Sequence, residues 1–306
     1  MPLVSGNIEN SYGALLDQIP ILKNRKNIVE LSGGLTNHNF MIETPEGKFV
    51  ARISSNTSEL LAIDRHSEFT NSRIAAESGV GAKVFDYLHG KGVLIIGYID
   101  GVTYTAQDVR LNLRRIAESL QRLHAGQRFD RTFNMFDIQR GYLEIVRKNN
   151  FRLPHQYLQL EPIFENVKTA LQVLDEGMVP CNNDLLPANF IDDGKKIWLI
   201  DYEYSGNNDA CFELGNIWSE ADLSIESLEE LVTAYYGRER SEKFARAWLY
   251  AQVAKYGWVL WASIQDSISE LDFDFRGWGD LKYQSLLSSV YSPLFSQMLN
   301  QVTQKS

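Results

Sequence analysis

Residues 29–53 alternate apolar and polar positions with the period of half-buried strands. Val29-Glu30-Leu31 opens the pattern. Phe40-Met41-Ile42-Glu43-Thr44 and Phe49-Val50-Ala51-Arg52-Ile53 continue it on either side of the turn Pro45-Glu46-Gly47-Lys48. Two further strand-like runs, 84–87 and 92–96, follow a helix expected over 65–78. Ahead of them, Asn10-Ser11-Tyr12 is read as the cap of a leading helix carrying Leu15, Leu16 and Ile19, which Pro20 stops. After Gly97-Tyr98-Ile99-Asp100-Gly101 the apolar period changes from 2 to 3.6. Helices are expected over 107–125, 137–149, 161–177, 225–237 and 239–270, with 150–160 as a connector. One β-hairpin interrupts them: Phe190-Ile191, the turn Asp192-Asp193-Gly194, then Ile197-Trp198-Leu199-Ile200. The pattern is α+β: a small antiparallel lobe over 1–97 with one main helix, a hinge over 98–103, and a larger, mostly helical lobe over 104–306.

Composition narrows the classes. The chain has 306 residues, 44% hydrophobic and 11% aromatic, which is ample for a core. A net charge of −9 argues against nucleic-acid binding, which needs a basic face. Two cysteines, Cys181 and Cys211, make no disulfide framework, so a reduced, cytoplasmic setting is expected. No signal peptide and no membrane span are read in the sequence.

The hairpin carries the candidate chemistry. Asp184 leads into it, Asn189 immediately precedes its first strand and Asp201 follows its second. Pairing the strands brings three oxygen-bearing side chains together. That donor set suits Mg2+ and leaves one carboxylate to take a proton from a hydroxyl. Asp-x4-Asn followed by a strand ending in Asp is the phosphoryl-transfer arrangement of protein kinases. An Asp-rich surface turn is the alternative reading of the spacing by itself. Upstream, Gly33, Gly34, Thr36, Asn37 and Asn39 lie in or beside a Gly-Gly turn that can present N–H groups to phosphate oxygens, although such a turn is also an ordinary hairpin connection. Arg52 ends a strand among apolar neighbours and needs a partner or a solvent-facing mouth; Glu68 on the next helix is the candidate, Glu59 and Glu77 are rival partners, and a surface salt bridge is the alternative reading. His124, at a helix end, is read as a cap or packing residue.

The last third of the chain is rich in aromatics. Trp258 and Trp261 share a helix face, and Trp278 and Tyr283 follow. Such a stripe is ordinarily core. Here Glu203, Glu213, Glu220, Asp266, Glu270, Asp272 and Asp274 accompany it, and aromatic faces with carboxylates suit a quaternary ammonium.

These motifs together resemble the choline/ethanolamine kinases, within the aminoglycoside-phosphotransferase-like group that shares the two-lobe protein-kinase-like fold. The carriers are SGGLTNHNF at 32–40, ARI at 51–53, NDLLPANF at 183–190, IDYEYSG at 200–206, FELGNIWSE at 212–220 and WVLWASIQDSISELDF at 258–273. The resemblance implies an ATP- and Mg2+-dependent kinase of a small alcohol, choline favoured, acting as a monomer or homodimer. It makes Asp184 the base and Asn189 and Asp201 the Mg2+ ligands. It assigns Gly33, Gly34, Thr36, Asn37, Asn39, Arg52 and Glu68 to the phosphates, and the backbone around Tyr98 and Ile99 to adenine. Tyr204, Trp258, Trp261, Trp278 and Glu220 fall at the acceptor's cationic end. Ethanolamine, thiamine, an aminoglycoside, or a catalytically impaired kinase-like protein are the rival readings. Two positions depart from the family pattern: Asn182 replaces a scaffolding His, and Glu213 replaces an Asp.

Overall fold

The computed structural model describes residues 5–31, 37–54, 61–175 and 177–304. Five strands build an antiparallel sheet: β1 (Asn27–Leu31), β2 (Asn37–Thr44), β3 (Gly47–Ser54), β4 (Val84–Leu88) and β5 (Val93–Gly97), in the order β1-β2-β3-β5-β4. The alternation of β2 buries Phe40, Ile42 and Thr44 on one side. Helix α1 (Ser5–Leu16) covers that side with Ile8 and Leu16, joined by Ile19 and Leu22 from a following 3-10 turn. The helix begins well before Asn10, and Pro20 opens the 3-10 turn after it.

Helix α2 (Arg65–Glu77) starts on an Asp64 cap that accepts the His66 and Ser67 N–H groups. It belongs to the larger core: Ile74, Ala75 and Val80 pack with the helices rather than with the sheet's own cluster. Beyond β5, a two-residue strand β6 (Val102–Thr103) pairs with the hairpin strand β8 (Phe190–Asp192), which pairs with β9 (Ile197–Leu199). The last residues of the expected hinge are thus stitched to the hairpin.

The expected helix over 107–125 is two, α3 (Ala106–Leu111) and α4 (Leu113–His124). Thr105 and Asp108 form a capping box at the start of α3. Asn112 breaks the run because its side-chain amide donates to the Asp108 carbonyl and competes with the helical ladder. Helices α5 (Met135–Lys148) and α6 (Glu161–Gln172) follow. Strands β7 (Val179–Cys181) and β10 (Gly206–Asn208) pair antiparallel and clamp the residues between them. The segment after β10, unassigned in the sequence reading, folds as α7 (Ala210–Glu220).

Helix α8 (Ile225–Tyr236) precedes α9 (Ser241–Ile268), which is 28 residues long and buried on nearly every side over 245–265. A helix apolar all round belongs in a core. Here α5, α7, α10 (Phe275–Val290) and α11 (Pro293–Gln301) pack around it. Close approach of α7 to α9 depends on Gly215, whose added Cβ would lie 2.1 Å from the Ala247 carbonyl oxygen. Gly141, in α5, has nothing within 4 Å of such a Cβ. Gly215→Ala is therefore expected to cost about 3 kcal/mol by urea denaturation, through overpacking. Gly141→Ala should gain about 0.5–1 kcal/mol by helix propensity. A Gly215→Ala protein as stable as the parent would contradict this packing.

Candidate active site

The segment between β7 and β10 owes its shape to buried polar side chains. Asn182 accepts the Asp184 N–H on Oδ1 and donates Nδ2 to the carbonyls of Ile200 (3.1 Å) and Asp201 (2.8 Å). It ties the Asp184 loop to the end of the hairpin. The Asn that departs from the family pattern therefore makes a scaffold of its own. Asn183 takes a left-handed conformation (φ 69°), which Asn tolerates, and its amide donates to the Cys181, Tyr204 and Gly206 carbonyls. Glu213 reaches in from α7: one oxygen accepts the Asn182 and Asn183 N–H groups at 2.7 and 3.0 Å, the other meets His124 Nε2 at 2.5 Å. His124 Nδ1 meets the Tyr235 hydroxyl at 2.7 Å. By its position at a helix end His124 reads as a cap or packing residue; its hydrogen bonds make it a buried member of this support. Its Glu213 partner lies 89 positions away, beyond any local pattern.

The hairpin brings the three predicted residues together. Asn189 donates its side-chain amide to the Asp184 carbonyl (2.7 Å), and its own carbonyl accepts the Ile200 N–H (3.0 Å). Asp201 follows in a left-handed conformation (φ 66°). Arg52, 6% exposed, reaches Asp201 at 2.6 Å, Glu203 at 2.8 Å and Glu68 at 3.1 Å. Arg65, one turn before Glu68 on α2, pairs with Glu68 (2.7 Å) and Glu203 (3.1 Å). Asn37 donates to Glu203 at 2.9 Å. Asn39 is the cross-strand neighbour of Arg52. The Arg52–Glu68 pair expected from the sequence is one edge of this network. Arg65 and Glu203 were not foreseen in it. The i,i+3 spacing of Arg65 and Glu68 was a usable signal; the Glu203 contact, 151 positions from Arg52, was not.

Electrostatics follow from that crowding. Burial works against the Arg52 charge, but Asp201, Glu68 and Glu203 outweigh it and hold the guanidinium firmly protonated. Burial, with Glu203 and Glu68 close by, pushes the Asp201 carboxyl up to about 6 despite Arg52. Asp184 is raised well above the usual carboxylate range, first by burial and then by Asp201, Glu203 and Glu220; Lys282 pulls the other way.

The aromatic residues also meet. Trp261 donates its indole N–H to the Tyr204 hydroxyl at 2.9 Å. Ring centroids are 5.0 Å apart for Tyr204 and Trp258 and 5.6 Å for Trp261 and Trp278. Trp258, Trp261 and Tyr204 are themselves part of the main core; Trp278 is only partly buried. Of the acidic residues expected around them, Glu203 belongs to the Arg52 network, Glu213 to the loop support, and Asp266 pairs with Arg276. Glu220 bonds Lys282 at 2.6 Å, and the Lys282 ammonium stands 4.3 Å from the Trp278 ring centroid. Lys282 was missed, although its position four residues after Trp278 puts both on one face of α10. Tyr98, at the end of β5, donates its backbone N–H to the Lys48 carbonyl (3.1 Å), so that group is already engaged. Ile99 follows it. Gly33, Gly34 and Thr36 lie outside the described residues.

An antiparallel sheet and a helical body meeting at an Asp–Asn–Asp cluster give the protein-kinase-like fold. The chain belongs to the choline/ethanolamine kinase family, whose model matches residues 28–252. These are phosphotransferases with an alcohol group as acceptor. Protein LicA of Haemophilus influenzae is 27% identical over 252 residues, covering 78% of this chain and 73% of its own length. Ethanolamine kinase 2 of Mus musculus is 26% identical over 264 residues, covering 76% and 68%. A choline/ethanolamine kinase family protein from Mesorhizobium loti has a TM-score of 0.85 and 29% identity over 97% of this chain and 99% of its own. Among the described residues, no helix is long and apolar enough to cross a membrane.

The loop support can be tested through Asn182. Its replacement by Ala removes both donors and the Asp184 acceptor, leaving buried groups unpaired. Asn182→Ala should lose about 2–3 kcal/mol in urea denaturation and lose exchange protection at the Asp184 amide. Unchanged stability and protection would show that the loop is held without it.

Proposed function

We propose that the protein transfers the γ-phosphoryl group of ATP to the hydroxyl of choline, giving ADP and phosphocholine. The observation that carries this reading is the meeting of Asp184, Asn189 and Asp201 at the Arg52 network, in a chain whose Tyr204, Trp258, Trp261 and Trp278 rings form a cluster suited to a quaternary ammonium. Residues 1–97 would form the ATP-binding lobe, 98–103 the hinge and 104–306 the acceptor-binding lobe, in a cytoplasmic enzyme. Tyr98 and Ile99 would meet adenine. Gly33, Gly34, Thr36, Asn37 and Asn39 would cover the phosphates, and Arg52, held by Glu68, would bind them.

Asp184 accepts the acceptor's proton. A carboxylate raised by burial and neighbouring acids is a stronger base than an ordinary one. The donor chemistry fits Mg2+: Asn189 has its amide nitrogen committed to Asp184, which leaves its oxygen for a cation, and Asp201 adds a carboxylate. Bound there, Mg2+ would supply positive charge for the transferred and leaving phosphates. The chain's own contribution is to position both substrates and to keep water from the transfer.

Ethanolamine is the second reading, favoured by one observation. The Lys282 ammonium bonds Glu220 as a primary ammonium can and a quaternary one cannot. The mouse relative's name points the same way.

The test is ADP formation with Mg2+ and choline, ethanolamine, thiamine or an aminoglycoside, each separately. Choline-dependent turnover is expected, and Asp184→Asn should lower kcat by about 10²–10⁴-fold with the fold intact. Near-normal turnover by Asp184→Asn would remove the assigned base. Turnover on another acceptor alone would discard choline, and ATP binding without turnover on any would favour an impaired kinase-like protein.

A further inference from the structure

We propose that Lys282 is a specificity-determining residue of the acceptor pocket, a built-in ammonium that an incoming cationic head group must displace from Glu220 and Trp278. The inference rests on the acceptor site proposed above.

Lys282 and Trp278 lie one turn apart on α10, and Glu220 ends α7 opposite them. The Lys282 side chain is 10% exposed and that of Glu220 is 5% exposed. An exposed salt bridge contributes little, but a pair this buried leaves a carboxylate uncompensated if its partner is removed. The ammonium also stands over the Trp278 face within cation–π range. Trp278 touches Trp261, and Trp261 bonds Tyr204, so the ammonium occupies one end of the aromatic cluster.

Two features a cationic acceptor would use, an anion and an aromatic face, are thus occupied by one side chain of the protein. The competition is unequal between acceptors. A primary ammonium can replace the Lys282 hydrogen bond to Glu220, whereas a trimethylammonium offers cation–π and charge attraction only. Lys282 therefore weakens binding of a quaternary head more than that of a primary one. The other lysine of this region, Lys255, is not a ready substitute. It donates to Ser285 Oγ at 2.9 Å and lies 5.7 Å from the Trp218 ring; burial, with Lys282 adding to it, pushes its pKa down to about 8.

The experiment uses the full chain and the variants Lys282→Met and Lys282→Arg, with tetramethylammonium, choline and ethanolamine followed by tryptophan fluorescence. Lys282→Met should bind tetramethylammonium and choline roughly tenfold tighter or more, with a smaller gain for ethanolamine. Lys282→Arg keeps the charge and should show no such gain. Because Lys282→Met leaves Glu220 buried without its cation, that variant should melt lower than the parent and recover when choline is added, a rescue that a purely structural lysine would not give. If Lys282→Met does not fold, Lys282→Gln serves. Equal or weaker tetramethylammonium binding by the neutral variant, or no choline-dependent recovery, overturns the inference. Cation binding is read without turnover, so its outcome is separate from that of the kinase reading, which fails on absent acceptor-dependent ADP formation in the parent protein.

Discussion

Burying the Arg52 guanidinium is the constraint on which the rest of the arrangement depends. A buried cation needs partners, and the partners here come from two separate parts of the chain: Glu68 from α2, and Asp201 and Glu203 from the loop after β9. Arg65 and Asn37 close the network from α2 and β2. The sheet and the helical body are therefore joined through charge as well as through apolar contact. Glu213 and Asn182 fix the Asp184 loop from below, so that it faces this network.

The network also sets the chemistry. Among the described residues, five carboxylates (Glu68, Asp184, Asp201, Glu203, Glu220) face three cations (Arg52, Arg65, Lys282). Burial first, and then the excess of acid, raises Asp184 and Asp201, and that excess is the negative charge a divalent cation would offset. Lys282 plays the matching part at the aromatic cluster, where it neutralises Glu220 and covers Trp278.

What was legible in the sequence was whatever local spacing determines. The hairpin register follows from two apolar runs and an Asp-Asp-Gly turn, and Asp184, Asn189 and Asp201 come together through it. Trp258 and Trp261 share a face because they are three residues apart on one helix. Contacts between distant segments were not legible: His124 with Glu213, and Arg52 with Glu203, are set by tertiary packing. The acidic residues expected around the aromatic cluster show the same limit. Composition placed them in the same part of the chain, yet Glu220 reaches that cluster while Glu203, Glu213 and Asp266 are engaged elsewhere. The helix break at Asn112 came from a side chain that competes with the backbone, which apolar periodicity does not register.

The most direct test of the central claim, that this acid-rich network admits a nucleotide only with a divalent cation, is calorimetric titration of ATP into the protein with Mg2+ and again with EDTA. Binding is expected with Mg2+, and a loss of at least about tenfold in affinity without it, because uncompensated carboxylates repel the phosphates. Equal affinity in both would mean that Arg52 and its neighbours bind phosphate unaided, and would contradict the role given to Asn189 and Asp201.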